Sequence, residues 1–251
     1  MLNDEELLRY SRQILLKQVD VAGQLRLKES KVLVVGLGGL GSPVALYLAA
    51  AGVGELYLAD FDVLDLSNLQ RQIVHSHAAL DTLKVLSAQA RLQGLNPHIK
   101  VHTFSDKLDS DNLPELLRKV DLVLDCTDNF TIRGQLNAAC FAEGKPVVSG
   151  AAIRTEGQVS VYQPNQADSP CYHCVFGDGD EEGLTCSEAG VLGPLVGMIG
   201  SLQALEAMKL LAGFGEPLIG RLLLVDALSS RFRELKLRRD PNCKICGTRH
   251  A

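Results

Sequence analysis

Two pairs of cysteines are the residues best suited to chemistry. The first pair is Cys171 and Cys174, and the second is Cys243 and Cys246. Two residues separate the cysteines of each pair. This is the spacing at which proteins present thiolates to a structural metal, and four thiolates complete a tetrahedral zinc site with no open position. We therefore expect a structural Zn²⁺ that ties the tail to the middle of the chain. Two unrelated reduced pairs, or one redox-active pair, are the alternatives.

A glycine-rich turn follows the apolar segment KVLVV at 31–35. In such a turn Gly36 permits the sharp bend, Gly38 lets the backbone approach a phosphate, and Gly41 lets the next helix pack on the sheet. Asp60 ends the following apolar segment, where an acid can accept hydrogen bonds from ribose hydroxyls. The pattern predicts a nucleotide site rather than a turn used for packing alone. It does not choose between NAD and ATP, and it lacks the Gly-Lys-Ser/Thr of a Walker loop.

Two cations, Arg71 and Lys84, follow the second apolar segment. An enzyme that only recognises a ribose needs no such pair of cations. An enzyme that cleaves a triphosphate does, because charge develops on the departing pyrophosphate. Asn68 and Gln72 can add neutral donors. Either cation taken singly would be interpreted as an ordinary solvated charge.

A second acid, Asp128, lies in CTDN directly after the apolar strand predicted at 121–125. Because open parallel sheets bind ligands at the carboxyl ends of their strands, we expect Asp128 over the same site as Gly38 and Asp60. There it could hold Mg²⁺ or position a reacting carboxylate. An Asp-Asn pair after a strand is also common in turns and helix caps.

Three cysteines remain outside the pairs. Cys126 and Cys140 lie in or beside predicted core elements, so we expect buried packing residues. Cys186 lies in a polar, acidic, glycine-rich stretch at 164–190 that lacks periodicity. It could expose a thiol to a second substrate or be an ordinary surface cysteine.

The elements that position these residues alternate between strand and helix over the first 150 residues. Strands are predicted at 31–35, 55–60, 99–104, 121–125, 146–149 and 157–163, with helices at 3–18, after the glycine-rich turn, at 80–95, at 131–143 and at 194–212, and a hairpin at 220–226 and 230–237. This order predicts an α/β fold. We expect a Rossmann-like, mostly parallel sheet with helices on both faces, extended by C-terminal antiparallel strands and a zinc-stapled tail.

Composition narrows the class of protein. The 251 residues carry 25 Lys and Arg against 30 Asp and Glu, a net charge of −5. An acidic chain without a basic run is a poor sequence-independent nucleic-acid binder. The apolar stretch 191–213 contains Gln203, Glu206 and Lys209, which favours a buried helix over a membrane span. The N-terminal residues lack the pattern of a secretory signal, so we expect a cytoplasmic protein with reduced cysteines.

Together these motifs resemble the adenylyltransferases that activate small ubiquitin-like sulfur-carrier proteins. The resemblance runs essentially end to end through RYSRQI, VVGLGGLGSP, LADFDVLDLSNLQRQ, LVLDCTDN, the loop with Cys186 and both cysteine pairs. The stretch 148–162, which includes Arg154, is more similar to the branch that serves molybdopterin synthesis than to the thiamine branch.

The resemblance implies an ATP- and Mg²⁺-dependent reaction. The C-terminal Gly-Gly carboxylate of the carrier attacks the α-phosphate, which gives an acyl-adenylate and pyrophosphate. A separate sulfur donor protein then converts this end to a thiocarboxylate, here for molybdenum cofactor biosynthesis. The thiamine-pathway counterpart is the alternative. An NAD-dependent oxidoreductase or a non-catalytic module would not explain Arg71, Lys84 and Asp128.

The resemblance also implies roles for particular residues. Lys84 and Arg71 stabilise the phosphates and Asp128 is the key acid. Arg12 reaches into the site of a neighbouring subunit, so a homodimer is implied, and Cys186 can link covalently to the carrier. The nucleotide-binding set is Gly36, Gly38, Gly39, Gly41, Asp60, Ser67, Asn68, Leu69, Gln70, Arg71, Lys84, Asp128 and Asn129.

The expected organisation is one domain over residues 1–251. An N-terminal helical arm occupies 1–30 and a nucleotide-binding half occupies 31–150. A carrier-binding half with the crossover loop and the zinc site occupies 151–251.

Overall fold

The alternation of side chains along the first strand, β1 (Lys31–Val35), shows how the core is divided. Val32 and Val34 point to one face of the sheet and join one apolar cluster. Leu33 and Val35 point to the other face and join a second cluster. Successive strand residues face opposite sides, so a strand that is apolar at every position must be covered by helices on both faces.

The structure, a computed structural model, describes residues 1–177 and 189–247. The other strands are β2 (Glu55–Ala59), β3 (Lys100–Phe104), β4 (Leu122–Asp125), β5 (Val147–Ile153), β6 (Glu156–Tyr162), β7 (Arg221–Asp226) and β8 (Arg231–Lys236). The helices are α1 (Asp4–Arg9), α2 (Ser11–Ile14), α3 (Asp20–Glu29), α4 (Gly41–Ala51), α5 (Lys84–Leu95), α6 (Leu113–Arg118), α7 (Phe130–Ala142), α8 (Tyr172–Phe176) and α9 (Gly193–Ala212), with 3-10 turns at Leu66–Asn68 and His77–Ala79.

Within the described ranges, the eight strands belong to one sheet in the order β3-β2-β1-β4-β5-β6-β7-β8. The pairs from β3 to β5 are parallel, and the pairs from β5 to β8 are antiparallel. Helices α4, α5 and α9 cover one face, and α6 and α7 cover the other. The predicted fold class is confirmed: a parallel core with helices on both faces, continued by C-terminal antiparallel strands.

Helix α9 is long and apolar enough to cross a membrane by length and composition. Half of its most apolar window is buried, and the helix packs against α4, β5 and β6. Glu206 on this helix is buried and accepts a hydrogen bond from the Leu218 amide at 2.7 Å. Helix α9 is therefore a core helix of the fold, as its polar residues predicted.

The N-terminal arm differs from the single helix predicted at 3–18. The predicted cap is present, because Asn3 and Glu6 form a reciprocal capping box. The chain then bends at Tyr10, whose buried hydroxyl accepts a hydrogen bond from Asn96 at 2.8 Å, and again at Asp20 with φ 54°. Beyond the predicted helix, Asp20–Glu29 form a further helix, α3, for which the sequence analysis gives no element. Side-chain anchoring of Tyr10 interrupts a helix that the apolar spacing alone would continue.

Smaller differences concern short elements and boundaries. Helices α6 and α8 were not predicted, because six and five residues are too few to show a helical period. Helix α5 begins at Lys84 and not at 80, since Asp81 adopts φ 63° and Leu83 is extended. Strand β5 runs on to Ile153 because it pairs with β6 along its full length.

Candidate active site

A cavity of about 760 Å³ lies at the carboxyl ends of β1, β2 and β4. This volume falls in the usual range for small-molecule sites, and the position is where open parallel sheets bind ligands. The structure brings most of the predicted nucleotide residues into its lining, namely Gly36, Gly38, Gly39, Asp60, Asn68, Arg71, Lys84, Asp128 and Asn129. Gly41, Ser67, Leu69, Gln70 and Arg12 do not line it.

The glycines of the turn serve different purposes. Gly36 has φ 87°, and a Cβ there would lie 2.9 Å from the Cys126 carbonyl oxygen. A Cβ at Gly41 would overlap the Gly36 carbonyl oxygen, and one at Gly39 would lie 2.8 Å from a methyl of Val196 on α9. A Cβ at Gly38 would meet nothing closer than 3.7 Å. Three glycines therefore permit close packing, and Gly38 presents open backbone to the cavity.

Asp60 is held by the backbone on both sides. One carboxylate oxygen accepts from the Leu37 amide at 2.7 Å, and the other accepts from the Asp62 amide at 2.9 Å. Burial raises the pKa of the Asp60 carboxyl, while the charge of Lys84 and the two amides oppose that rise. Each oxygen keeps a lone pair for a ligand hydroxyl, so the geometry permits the predicted contact with ribose.

The two predicted cations both have protein partners. Lys84 is the first residue of α5, its side chain is only 7% exposed, and its Nζ lies 2.7 Å from a carboxylate oxygen of Asp62. Arg71 donates from Nη1 to the Ser67 carbonyl at 3.0 Å. Ser67 thus positions Arg71 through its backbone, although its own side chain lies outside the cavity. Asp62 was not identified from the sequence.

The loop that carries Asp128 rests on a buried polar network. Asp125 accepts from the Thr127 amide at 3.1 Å, from the Thr127 hydroxyl at 2.7 Å and from the Ser149 hydroxyl at 2.9 Å. Arg133 donates to the carbonyls of Thr127 and Gly150. A buried carboxylate without partners would be strongly unfavourable, so this network fixes the conformation of the loop.

Asn129 acts on the next helix. Its Oδ1 accepts a hydrogen bond from the Ile132 amide at 3.1 Å, which caps the N-terminus of α7. This is the alternative that the Asp-Asn sequence also predicted. Asn129 still lines the cavity, as Asp128 does.

Further lining residues follow β3, the neighbour of β2. Asp106, Lys107 and Asp109 line the cavity next to the predicted set. They were missed, although the rule that placed Asp60 and Asp128 applies equally to the carboxyl end of β3. The cavity therefore contains both signs of charge, which suits a ligand that combines hydroxyls with phosphates.

The four predicted metal ligands come together away from the cavity. The Sγ atoms of Cys171, Cys174, Cys243 and Cys246 all lie within 4.8 Å of one another. The Cys171–Cys243 and Cys174–Cys246 separations are 3.5 Å and 3.3 Å. Four sulfurs about 2.3 Å from a tetrahedral zinc lie roughly 3.8 Å apart, so the cluster fits that ion.

The remaining predicted residues lie elsewhere or outside the described ranges. Arg12 is exposed on α2. Cys126 and Cys140 are buried, as expected of packing residues. Cys186 lies outside the described residues.

Comparison with known proteins agrees with this geometry. The ThiF family matches residues 10–245. The molybdopterin-synthase adenylyltransferase of Escherichia coli is 54% identical over 246 residues, which cover 98% of each chain. The sulfur carrier protein ThiS adenylyltransferase of Escherichia coli is 46% identical over 250 residues, which cover 100% of this chain and 99% of that protein.

Solved structures show the same fold. The crystal structure of Escherichia coli MccB with ATP superposes with a TM-score of 0.85 over 98% of this chain and 75% of that chain. The sequences are 23% identical, so this likeness concerns the fold alone.

The parallel sheet, with a cavity at the carboxyl ends of its strands, has the architecture of α/β enzymes that bind ligands at this edge. The relatives identify the reaction class as adenylyl transfer from ATP. The chain belongs to the ThiF family, and it is an adenylyltransferase.

Proposed function

We propose that the chain transfers the AMP of ATP to the C-terminal Gly-Gly carboxylate of a small ubiquitin-like sulfur-carrier protein. Pyrophosphate leaves, and the acyl-adenylate is the activated form for thiocarboxylate formation in molybdenum cofactor biosynthesis. The observation that carries this proposal is that one cavity is lined by the glycine-rich turn together with Arg71, Lys84 and Asp128. The 54% identity to a molybdopterin-synthase adenylyltransferase supports the choice of branch.

The chain's own residues divide the work. Asp60 accepts hydrogen bonds from the ribose, and the open backbone at Gly38 meets phosphate at the N-terminal end of α4. Arg71 and Lys84 neutralise the charge that develops on the leaving pyrophosphate. Lys84 exchanges its partner Asp62 for phosphate oxygens when ATP binds.

Two metals complete the proposal. Mg²⁺ supplies further neutralisation of phosphate charge when bound, and Asp128 is the carboxylate that would hold it. Zinc would be held by the four-cysteine cluster, where it stabilises the fold and takes no part in the chemical step.

The other parts of the proposal concern partners and organisation. The enzyme is a cytoplasmic homodimer in which Arg12 serves the neighbouring subunit's site. A sulfur donor protein acts after it, and Cys186 can link covalently to the carrier. The helical arm at 1–30, the nucleotide-binding half at 31–150 and the carrier-binding half at 151–251 form one functional unit.

The thiamine-pathway carrier is the second candidate substrate, because a ThiS adenylyltransferase is also 46% identical over nearly the whole chain. The oxidoreductase and the non-catalytic module are not retained, since both named relatives are adenylyltransferases.

The test is Mg²⁺-dependent exchange of labelled pyrophosphate into ATP with each purified carrier in turn. We expect exchange with the small subunit of molybdopterin synthase, a loss of most of it in Asp128→Ala, and normal exchange in Asp168→Ala, an exposed acid outside the cavity. Exchange with the thiamine carrier alone would reassign the branch. Absence of exchange with every Gly-Gly carrier, or full activity of Asp128→Ala, would contradict the proposal.

A further inference from the structure

The peptide groups on both sides of Leu37, in the glycine-rich turn, are anchored by side chains. The Leu37 amide donates to Asp60 at 2.7 Å. The Leu37 carbonyl oxygen lies 3.0 Å from Nε2 of His75, which comes from the segment between β2 and α5. Asp60 belongs to the recognised nucleotide motif, whereas nothing in that motif accounts for His75.

The hydrogen-bond partners determine the tautomer of His75. A carbonyl oxygen only accepts, so Nε2 carries the proton and donates to Leu37. The other ring nitrogen, Nδ1, lies 2.9 Å from the Ser87 hydroxyl and accepts from it. The side chain is buried, so both ring nitrogens are satisfied inside the protein.

The anchored carbonyl sets the direction of the next amide. The carbonyl of Leu37 and the N–H of Gly38 belong to one planar trans peptide unit and point in opposite directions. A carbonyl held against His75 in the interior therefore turns the Gly38 N–H away from the interior. Gly38 lines the cavity, and its N–H has no hydrogen-bond partner within residues 1–177 and 189–247.

His75 also connects the turn to the lysine of the site. Ser87 lies on α5 three positions after Lys84, whose ammonium pairs with Asp62 at 2.7 Å. The Asp62 amide in turn donates to Asp60 at 2.9 Å. The glycine-rich turn, Asp60 and Lys84 are therefore linked by a continuous ring of contacts. His75 completes this ring, because it connects the turn to α5.

We propose that His75 is a positioning residue for adenylyl transfer, which holds the Leu37–Gly38 peptide so that its N–H points at a phosphate oxygen of ATP. The inference rests on the proposed function, because it requires a nucleotide in this cavity. His75 itself does not touch the substrate. Its effect is on the affinity for ATP and not on the affinity for the carrier protein.

Two variants separate positioning from stability. In His75→Gln the side-chain amide nitrogen can take the place of Nε2 and keep the bond to Leu37. In His75→Asn the shorter amide can replace Nδ1 and keep only the bond to Ser87. Each variant loses one of two hydrogen bonds, so their melting temperatures should fall by similar amounts.

Titration calorimetry with Mg²⁺-ATP is the measurement. We expect His75→Asn to weaken ATP binding by about tenfold, the equivalent of about one hydrogen bond, and His75→Gln to stay within about twofold of wild type. The KM for ATP in the exchange assay should rise in parallel, while the KM for the carrier stays unchanged.

Equal ATP affinities in the two folded variants would overturn the role of His75 and leave the proposed function intact. A wild-type protein that binds no ATP would overturn both. If His75→Asn does not fold, NMR of the wild type decides, since the Gly38 amide signal must shift when ATP is added. An unmoved Gly38 signal at saturating ATP would refute the inference.

Discussion

Single residues of the cavity are paired with protein groups before any substrate arrives. The ammonium of Lys84 lies 2.7 Å from a carboxylate oxygen of Asp62, and the guanidinium of Arg71 donates to the Ser67 carbonyl at 3.0 Å. A triphosphate must replace these partners, so its affinity is a difference between two sets of hydrogen bonds and ion pairs. The pairing also keeps a buried ammonium from remaining uncompensated in the free enzyme.

His75 should make folding stability depend on pH. Burial lowers the pKa of His75 below the ordinary value of 6.5; the hydrogen bond to Leu37 opposes this shift, and the charge of Lys84 adds to it. Below that ordinary value the unfolded chain binds a proton that the folded protein excludes, so the free energy of unfolding falls as the pH falls. Urea unfolding at about pH 7.5 and about pH 5.5 measures this loss, which should be smaller in His75→Gln. An identical pH dependence in both proteins would contradict the assignment.

At the scale of elements, the junction between β1 and α4 depends on Gly41. A Cβ there would overlap the Gly36 carbonyl oxygen, whereas a Cβ at Gly134 on α7 would have no atom within 4 Å. We expect Gly41→Ala to unfold the protein or reduce its stability by more than about 2 kcal/mol. Gly134→Ala should instead stabilise it by about 0.5–1 kcal/mol. Chemical denaturation of both variants measures the contrast, and comparable stabilities would contradict this view of the junction.

The strands of the parallel half were predictable because they are buried on both faces. Segments such as KVLVV at 31–35 are apolar at nearly every position, so their ends fall within a residue or two of the prediction. The N-terminal arm was less predictable. Its bend depends on the contact of Tyr10 with Asn96, which lies 86 positions away.

Some residues of the candidate site could likewise be predicted from the sequence, and others could not. Gly38, Asp60 and Asp128 follow strands directly, so strand order alone brings them together. His75 could not be found, because its partner Leu37 is 38 positions away and a lone histidine has no distinguishing pattern. The pairing of Lys84 with Asp62 likewise depends on a bend in the chain that no periodicity reveals.

At the scale of the whole molecule, the four-cysteine cluster joins the tail after β8 to the segment after β6. We expect one zinc per chain by elemental analysis, and a lower melting temperature after chelation. The double variant Cys243→Ser, Cys246→Ser should lose the metal and much of its stability. Cys140→Ala is the matched control, because this buried cysteine lies outside the cluster and should keep the metal. Metal-free protein after gentle purification, or full stability of the double variant, would count against a zinc site.

The position of Arg12 bears on the sharing of sites between subunits. Its neighbour Gln13 donates to the Ala51 carbonyl at the C-terminal end of α4, at 3.1 Å. The cavity lies at the other end of this helix, whose 11 residues span about 16 Å. That separation is beyond the reach of one side chain, so we expect Arg12 to serve a neighbouring chain.

Mixing two inactive variants tests this expectation. When Arg12→Ala and Asp128→Ala chains are unfolded and refolded together, each mixed dimer has one site with both residues intact. Random pairing should restore pyrophosphate exchange to about a quarter of wild type. If mixed dimers form and activity stays at the average of the two variants, Arg12 does not act across the interface.

A metal in the four-cysteine cluster would also restrict the conformations of the unfolded chain. The path from Cys171 through the metal to Cys243 closes a loop across 72 positions. By the relation for cross-links, such closure removes conformational entropy equivalent to about 4 kcal/mol from an unfolded chain that keeps the metal. The loop contains α9, whose Val196 lies against Gly39 of the glycine-rich turn. Closing this loop in the unfolded chain therefore favours the folded state, in which α9 packs against the glycine-rich turn near the other end of the sequence.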